Sequence, residues 1–177
     1  MSTEIKVDYL SLSDPIYETI ETHIYKTYKN ACIMWIEKIY NNKLEEKYQK
    51  YKNSIVPSNE KLLFHGTDEP TARKIICEGF DPKYGKTFAH GVGCYFSKFA
   101  AYSSKYCKHI QGRDYVFMLV CKVIIGNCGL GHKNTPIPNK LNSVTDSIKH
   151  PTMYIVDKSE ACLPVYLVAF YPNVGKK

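Results

Sequence analysis

Four short segments carry side chains with usable chemistry. In the first, Phe64-His65-Gly66-Thr67, an apolar run (Leu62-Leu63-Phe64) gives way to a glycine. A glycine at a strand end lets another molecule approach the backbone closely. The exposed N–H and C=O can then read an amide in both directions, and the neighbouring histidine can bond a hydroxyl of the same ligand. Gly91-Val92-Gly93-Cys94-Tyr95-Phe96-Ser97 comes next, and Ala100-Ala101-Tyr102-Ser103-Ser104-Lys105-Tyr106 follows at once. With Tyr95 leaving a strand and Tyr106 on the helix after it, the two rings can face each other across a gap and sandwich a flat, electron-poor ring. Ser103, three residues before Tyr106, shares its helical face, and its hydroxyl can reach an amide on that ring. The fourth segment joins Asp146-Ser147 to Pro151-Thr152-Met153-Tyr154-Ile155-Val156. A methionine there can neither take a proton nor hold a developing cation by charge. Each piece alone also has an ordinary reading: a turn with a bonded histidine, or core tyrosines in a chain that has 15 of them. Cys94 near His90 raises a thiol nucleophile, but no orienting third group accompanies them.

The elements that must position these groups are legible in outline. Asp14 as N-cap and Pro15 at the first position open a helix. Ile16, Ile20, Ile24, Tyr28, Cys32, Trp35 and Ile39 keep helical spacing, which predicts one long helix ending at Asn41-Asn42. A second, polar helix is expected over Lys43–Lys52 with Leu44, Tyr48 and Tyr51 inward, then a linker at 54–59 containing Pro57. Residues 1–12 read as a frayed start. From Lys61 the pattern changes to a strand at Leu62–Phe64, then a helix from Asp68 to Glu78 capped by Thr67 and closed by Gly79. A glycine-rich loop spans Phe80–Gly93, including Gly85. Further strands are expected at Cys94–Phe96, Tyr115–Ile125, Met153–Val156 and Val165–Tyr171, with a short helix at Lys98–His109 and a long connection at Gly129–Ser147. Helices first and antiparallel-looking strands later argue for an α+β fold. Residues 1–60 are expected as a helical lead-in packed on a core of residues 61–177, one structural domain overall.

Bulk properties narrow the partners. At 177 residues and 44% hydrophobic content the chain is long and apolar enough to bury a core, which excludes a disordered tail. No apolar run approaches the roughly 20 residues of a membrane helix. The start, Met-Ser-Thr-Glu, lacks a basic region followed by an apolar stretch, so no secretory signal is expected. The net charge of +7 permits nucleic acid, yet only Arg73 and Arg113 carry the guanidinium suited to phosphate and base contacts. Nucleic acid is therefore not expected as an obligate partner. The seven cysteines (32, 77, 94, 107, 121, 128 and 162) are odd in number and show no CxxC spacing. Reduced thiols in a cytoplasmic or nuclear protein, with no metal site, are the expectation.

Taken in order, strand-His-Gly-Thr, the glycine-rich loop, Gly-x-Gly-x-Tyr-Phe-Ser, Ala-x-Ser-x-x-Tyr, Asp-Ser and Tyr-Ile-Val resemble the catalytic domain of the poly(ADP-ribose) polymerase superfamily. The resemblance covers Lys61–Tyr171 and extends more weakly back to Trp35. It implies mainly antiparallel sheets forming an NAD cleft, preceded by N-terminal helices. It implies NAD as co-substrate and catalytic roles at His65, Tyr95 and Met153. His65 would bond the adenine-side ribose, and Gly66 with Ser103 would hold the nicotinamide carboxamide. Tyr106 would stack on the nicotinamide ring, with Tyr95 opposite. Thr67 would lie beside the adenosine, unless it serves only as a helix cap. Phe96, with Phe88 and His90 from the loop Phe80–His90 that lids the NAD, completes the implied binding set. Polymer-forming members have a glutamate where this chain has Met153. Asp157 and Glu160 are poor substitutes by strand alternation. The resemblance is thus to the mono-ADP-ribosylating branch: transfer of one ADP-ribose to protein Glu or Asp, assisted by the substrate's own pyrophosphate. Protein acceptors, including the chain itself through Glu45 and Glu46, are the implied partners. A silent NAD-binding module of the same fold and a transferase acting on nucleic-acid ends are the competing readings.

Overall fold

The computed structural model of the chain describes residues 5–84 and 88–172. In chain order it contains β1 (Ile5–Tyr9), α1 (Pro15–Tyr25), β2 (Cys32–Asn41), α2 (Asn42–Ser54), β3 (Glu60–Gly66) and α3 (Glu69–Glu78). These are followed by β4 (Cys94–Ser97), α4 (Ala100–Ser103), β5 (Val116–Ile124), β6 (Cys128–Leu130), β7 (Ser143–Thr145), β8 (Met153–Val156) and β9 (Cys162–Tyr171). Single 3₁₀ turns lie at Pro82–Tyr84, Ser104–Tyr106 and Ser159–Ala161. The strands form one sheet in the order β1-β2-β9-β5-β3-β4-β8-β7-β6. Every pairing is antiparallel except β6 with β7.

The α+β expectation therefore stands, and β5 shows why. All but one of its residues are buried, and alternate ones serve opposite faces. Val116, Met118 and Val120 join Ile20 and Ile24 of α1 together with Phe64, Val168 and Phe170. Phe117, Leu119 and Cys121 join Leu44 and Tyr48 of α2 with Ala72, Ile75 and Ile76 of α3. The sheet is thus sandwiched between α1 on one side and α2 with α3 on the other, and its middle strands read as unbroken apolar runs.

The helical lead-in needs correction. Asp14 does cap α1, its carboxylate accepting from the Ile16 N–H at 2.9 Å, but the helix ends at Tyr25. Cys32–Asn41 is a sheet strand, paired on both sides by β1 and β9. The helical spacing of Cys32, Trp35 and Ile39 is coincidental. Cys32–Ile36 is an unbroken apolar run, and periodicity alone does not separate such a stretch of strand from a helix segment. Asn41 is instead the N-cap of α2, accepting from the Leu44 N–H. The α3 cap is Asp68, whose carboxylate accepts from the Thr71 N–H at 2.8 Å, so Thr67 is not needed there. Gly79 closes α3 with a positive φ of 88°, a conformation that costs a residue with a Cβ. The helix expected at Lys98–His109 is a single turn of α plus one of 3₁₀, and the connection Gly129–Ser147 holds the short strands β6 and β7 at its ends. Gly85 lies outside the described residues.

α3 is clamped to the sheet by charge as well as by packing. Glu37 of β2, only 2% exposed, takes a bidentate contact from Arg73 of α3, with Nη2 2.9 Å from Oε1. It also accepts from the Trp35 indole N–H at 3.1 Å. Arg73 and Arg113 both reach Glu69 as well. Glu37→Ala is expected to lower stability in urea unfolding by about 2 kcal/mol. The cost is moderated because the Arg73 side chain, 39% exposed, can rehydrate. An unchanged midpoint would show that packing alone fixes α3.

Candidate active site

A cleft opens where the sheet comes apart. β5 pairs with β3 along its whole length, from Glu60 to Gly66. On the other side β3 meets β4 in a single registered pair, Phe64 with Ser97. Beyond that pair the strands diverge, and the His65 ring fills the gap: its Nδ1–H donates to the Tyr95 carbonyl at 2.8 Å. The cleft measures about 1060 Å³ and is lined by His65, Gly66, Thr67, His90, Tyr95, Phe96, Ser103, Tyr106 and Met153 among others. That volume lies at the upper end for small-molecule and cofactor sites.

His65 is oriented from two sides. The Phe80 ring meets it edge-on with centroids 5.0 Å apart, and Phe96 is tilted against it at 5.5 Å. Burial lowers its pKa below the ordinary value, and the bond to Tyr95 offsets this only in part. The ring is therefore neutral at physiological pH. With Nδ1 committed as donor, Nε2 is an acceptor suited to a ligand hydroxyl.

Gly66 is fixed by close approach. A Cβ on it would stand 1.9 Å from the Ser103 carbonyl oxygen and 3.1 Å from the Tyr106 Cβ. The turn carrying Ser103 and Tyr106 lies directly on the glycine backbone, which brings together three residues far apart in sequence. Ser103 is 3% exposed and its hydroxyl donates to the Phe64 carbonyl at 3.1 Å, leaving its lone pairs to accept. Tyr106 stands at the mouth, 54% exposed, and its hydroxyl lies 3.0 Å from that of Tyr102.

Tyr95 does more than line the cleft. Its hydroxyl donates to the Gly91 carbonyl at 2.6 Å and accepts from the His90 N–H at 3.0 Å. The same stretch is held from outside, with the Val92 N–H donating to the Thr135 carbonyl and the Asn134 N–H to the Phe88 carbonyl. Among the described residues, Phe88 does not line the cleft. Tyr95→Phe is expected to speed amide hydrogen exchange at His90 about tenfold while changing global stability by no more than about 1 kcal/mol. Undiminished protection of that amide would show that something else holds it.

Met153 begins β8 opposite Ser97 and is 8% exposed. Its backbone is set by Asp146, whose carboxylate accepts from the Met153 N–H at 3.0 Å, the Thr152 N–H at 2.9 Å, the Thr145 hydroxyl at 3.1 Å and the Thr152 hydroxyl. Asp157 and Glu160 also line the cleft. Asp157, however, sits four residues beyond Met153 along an extended run, roughly 13 Å away, so it does not stand at the Met153 position. Sequence reasoning overlooked Phe80, Tyr102 and the anchoring role of Asp146. Phe80 directly follows the helix-closing glycine, and Tyr102 lies one turn before Tyr106; those spacings are the only local signals. Asp146 carries none, since its partners lie in a loop whose closure is not readable from spacing.

The thiol alternative fails on electrostatics. Burial pushes the Cys94 pKa up to about 12, the opposite of an activated nucleophile. Among the described residues, no three His, Cys, Asp or Glu side chains gather in a way that could hold a metal ion.

The chain is 31% identical to protein mono-ADP-ribosyltransferase PARP14 of Homo sapiens over 89% of its own length and 10% of that protein's. It is 29% identical to mouse PARP11, also named a protein mono-ADP-ribosyltransferase, over 88% of its length and 57% of the relative's. With mouse PARP12, of the same description, identity is 27% over 91% of this chain and 25% of the relative. The chain thus spans from a tenth to little more than half of these relatives. The model of the poly(ADP-ribose) polymerase catalytic domain matches residues 15–163, a span that takes in strands β2 to β8 and the cleft, and the chain belongs to that family.

Proposed function

We propose that this chain transfers a single ADP-ribose from NAD to protein carboxylates and releases nicotinamide. The observation that carries the proposal is the meeting of Gly66, Ser103 and Tyr106 in a cleft that the buried Met153 also lines. The Gly66 backbone and the Ser103 hydroxyl hold the carboxamide, and the Tyr106 ring covers the nicotinamide. His65 Nε2 accepts from an adenine-side ribose hydroxyl. The bond between the ribose C1′ and the nicotinamide nitrogen breaks, nicotinamide leaves with the electron pair, and an acceptor carboxylate oxygen bonds C1′. That acceptor is already ionised near pH 7, so no protein base is required. The chain contributes orientation and a preformed pocket, and the substrate's pyrophosphate offsets charge building on the ribose. Activation of a sugar hydroxyl for chain growth would need the carboxylate that Met153 lacks.

The test is the intact mass of the protein after incubation with NAD, beside a His65→Ala control. One or a few discrete ADP-ribose additions, absent from the control, are the expected result. A ladder of many units on one site would overturn the single-transfer reading. No addition together with no NAD-induced rise in melting temperature would make the domain a silent member of its family.

A further inference from the structure

The Met153 end of the cleft has two lips tied at their base. The Lys98 N–H donates to the Thr152 carbonyl at 3.1 Å, and the Ser97 hydroxyl donates to the same carbonyl while accepting from the Phe99 N–H. One lip therefore runs from Lys98 through Tyr102 to Lys105. The other is the 147–150 segment, held up by the Asp146 bonds at its foot and by the His150 N–H donating to the Ser147 hydroxyl. Ile148 is 60% exposed at its tip, with Lys149 and His150 exposed beside it.

Asp68, Glu78, Asp81, Asp157 and Glu160 line the cleft beside Lys74, Lys108 and Lys158. The lips themselves carry Lys98, Lys105 and Lys149, and Asp146 at the foot of the second lip is already engaged by four donors. Lys98 and Lys105 reach over the rings of Phe99 and Tyr102, with Nζ 5.0 and 5.6 Å from the centroids. Their stems thus lie along the lip while their ammonium groups stay available. We propose that these two lips dock the acceptor as an acidic peptide, whose carboxylates meet Lys98 and Lys149 and one of whose apolar side chains packs on Ile148. The proposal rests on the transfer reading above and specifies its substrate. A peptide fits better than a nucleic acid. Both arginines are committed elsewhere, Arg73 to Glu37 and Arg113 to Glu69, so the lips lack the fork that favours phosphate. An exposed isoleucine also asks for an apolar partner.

The experiment compares three fluorescent probes by anisotropy. They are a peptide with one central Glu, acidic flanks and a leucine; the same peptide with neutral flanks; and a short 5′-phosphorylated RNA. The proteins are the wild type, Lys98→Glu/Lys149→Glu and Ile148→Ser, with NAD-induced thermal stabilisation read in parallel. The acidic peptide should bind the wild type most tightly and lose about five- to tenfold on charge reversal at low salt, less at physiological salt. NAD stabilisation should not change. Ile148→Ser should weaken both peptides alike. Equal binding of the neutral peptide, indifference to charge reversal or tighter binding of the RNA overturns the proposal. Charge-dependent peptide binding by a protein that NAD does not stabilise would sink the transfer reading and leave the docking surface standing.

Discussion

Gly66→Ala is expected to abolish NAD-induced thermal stabilisation while the protein remains folded. The added methyl would lie 1.9 Å from the Ser103 carbonyl oxygen, a backbone atom that no rotamer change can remove. Either β3 or the turn carrying Ser103 and Tyr106 must move. β3 is held along seven registered pairs by β5, whereas α4 is a four-residue helix followed by one 3₁₀ turn. The turn gives way, and the Ser103 hydroxyl loses the Phe64 carbonyl as it goes. Overpacking of this kind costs about 1–3 kcal/mol, and the lost hydrogen bond adds about 1 kcal/mol. The melting temperature of the free protein should fall by several degrees, but the loss of ligand response should be complete, because the groups proposed to hold the nicotinamide part from one another. A variant that kept full NAD stabilisation would show that the pocket lies elsewhere.

The geometry behind that prediction was only half visible in the sequence. His65-Gly66, Tyr95 and Ser103-x-x-Tyr106 stand out by residue type and order, and the strands carrying them were placed within a few residues, because glycines and apolar runs punctuate that half of the chain. The N-terminal part misled for a physical reason. Cys32–Ile36 is apolar on both faces since β2 is covered by α1 on one side and α3 on the other, and a two-sided strand leaves no alternation to read. Its polar members were the better clue: Glu37, Ile39 and Asn41 alternate toward α3, where Glu37 meets Arg73 and Asn41 donates to the Ile76 carbonyl at 2.8 Å. The glycine at position 66 reads in the sequence as room for a ligand; the structure adds that the chain's own Ser103 backbone takes the space a Cβ would fill. Tyr95 was expected as a ring and serves equally through its hydroxyl, a role that depends on a loop conformation no local pattern encodes.

Asp146→Ala should produce the other large effect, and pH separates it from a simple packing loss. Burial by itself would raise the Asp146 pKa. The Thr152 hydroxyl, the Met153 and Thr152 N–H groups and the Thr145 hydroxyl outweigh it and bring the value down to about 2. A carboxylate whose folded pKa lies below its unfolded value stabilises the fold fully above the ordinary value near 4. That stabilisation drains away as pH falls from there toward about 2. The wild type should therefore lose stability over that window, and Asp146→Ala should lack that part of the slope while being less stable by about 2–4 kcal/mol at neutral pH. Asp146→Asn keeps the shape and one acceptor oxygen, so it should recover part of the neutral-pH stability without restoring the acid slope. In both variants the start of β8 loses its anchor, and Met153 and the 147–150 lip drift with it. Transfer should then fall further than NAD binding, which depends on β3 and α4. Equal loss of both would mean that Asp146 supports the whole cleft rather than the end where the acceptor enters.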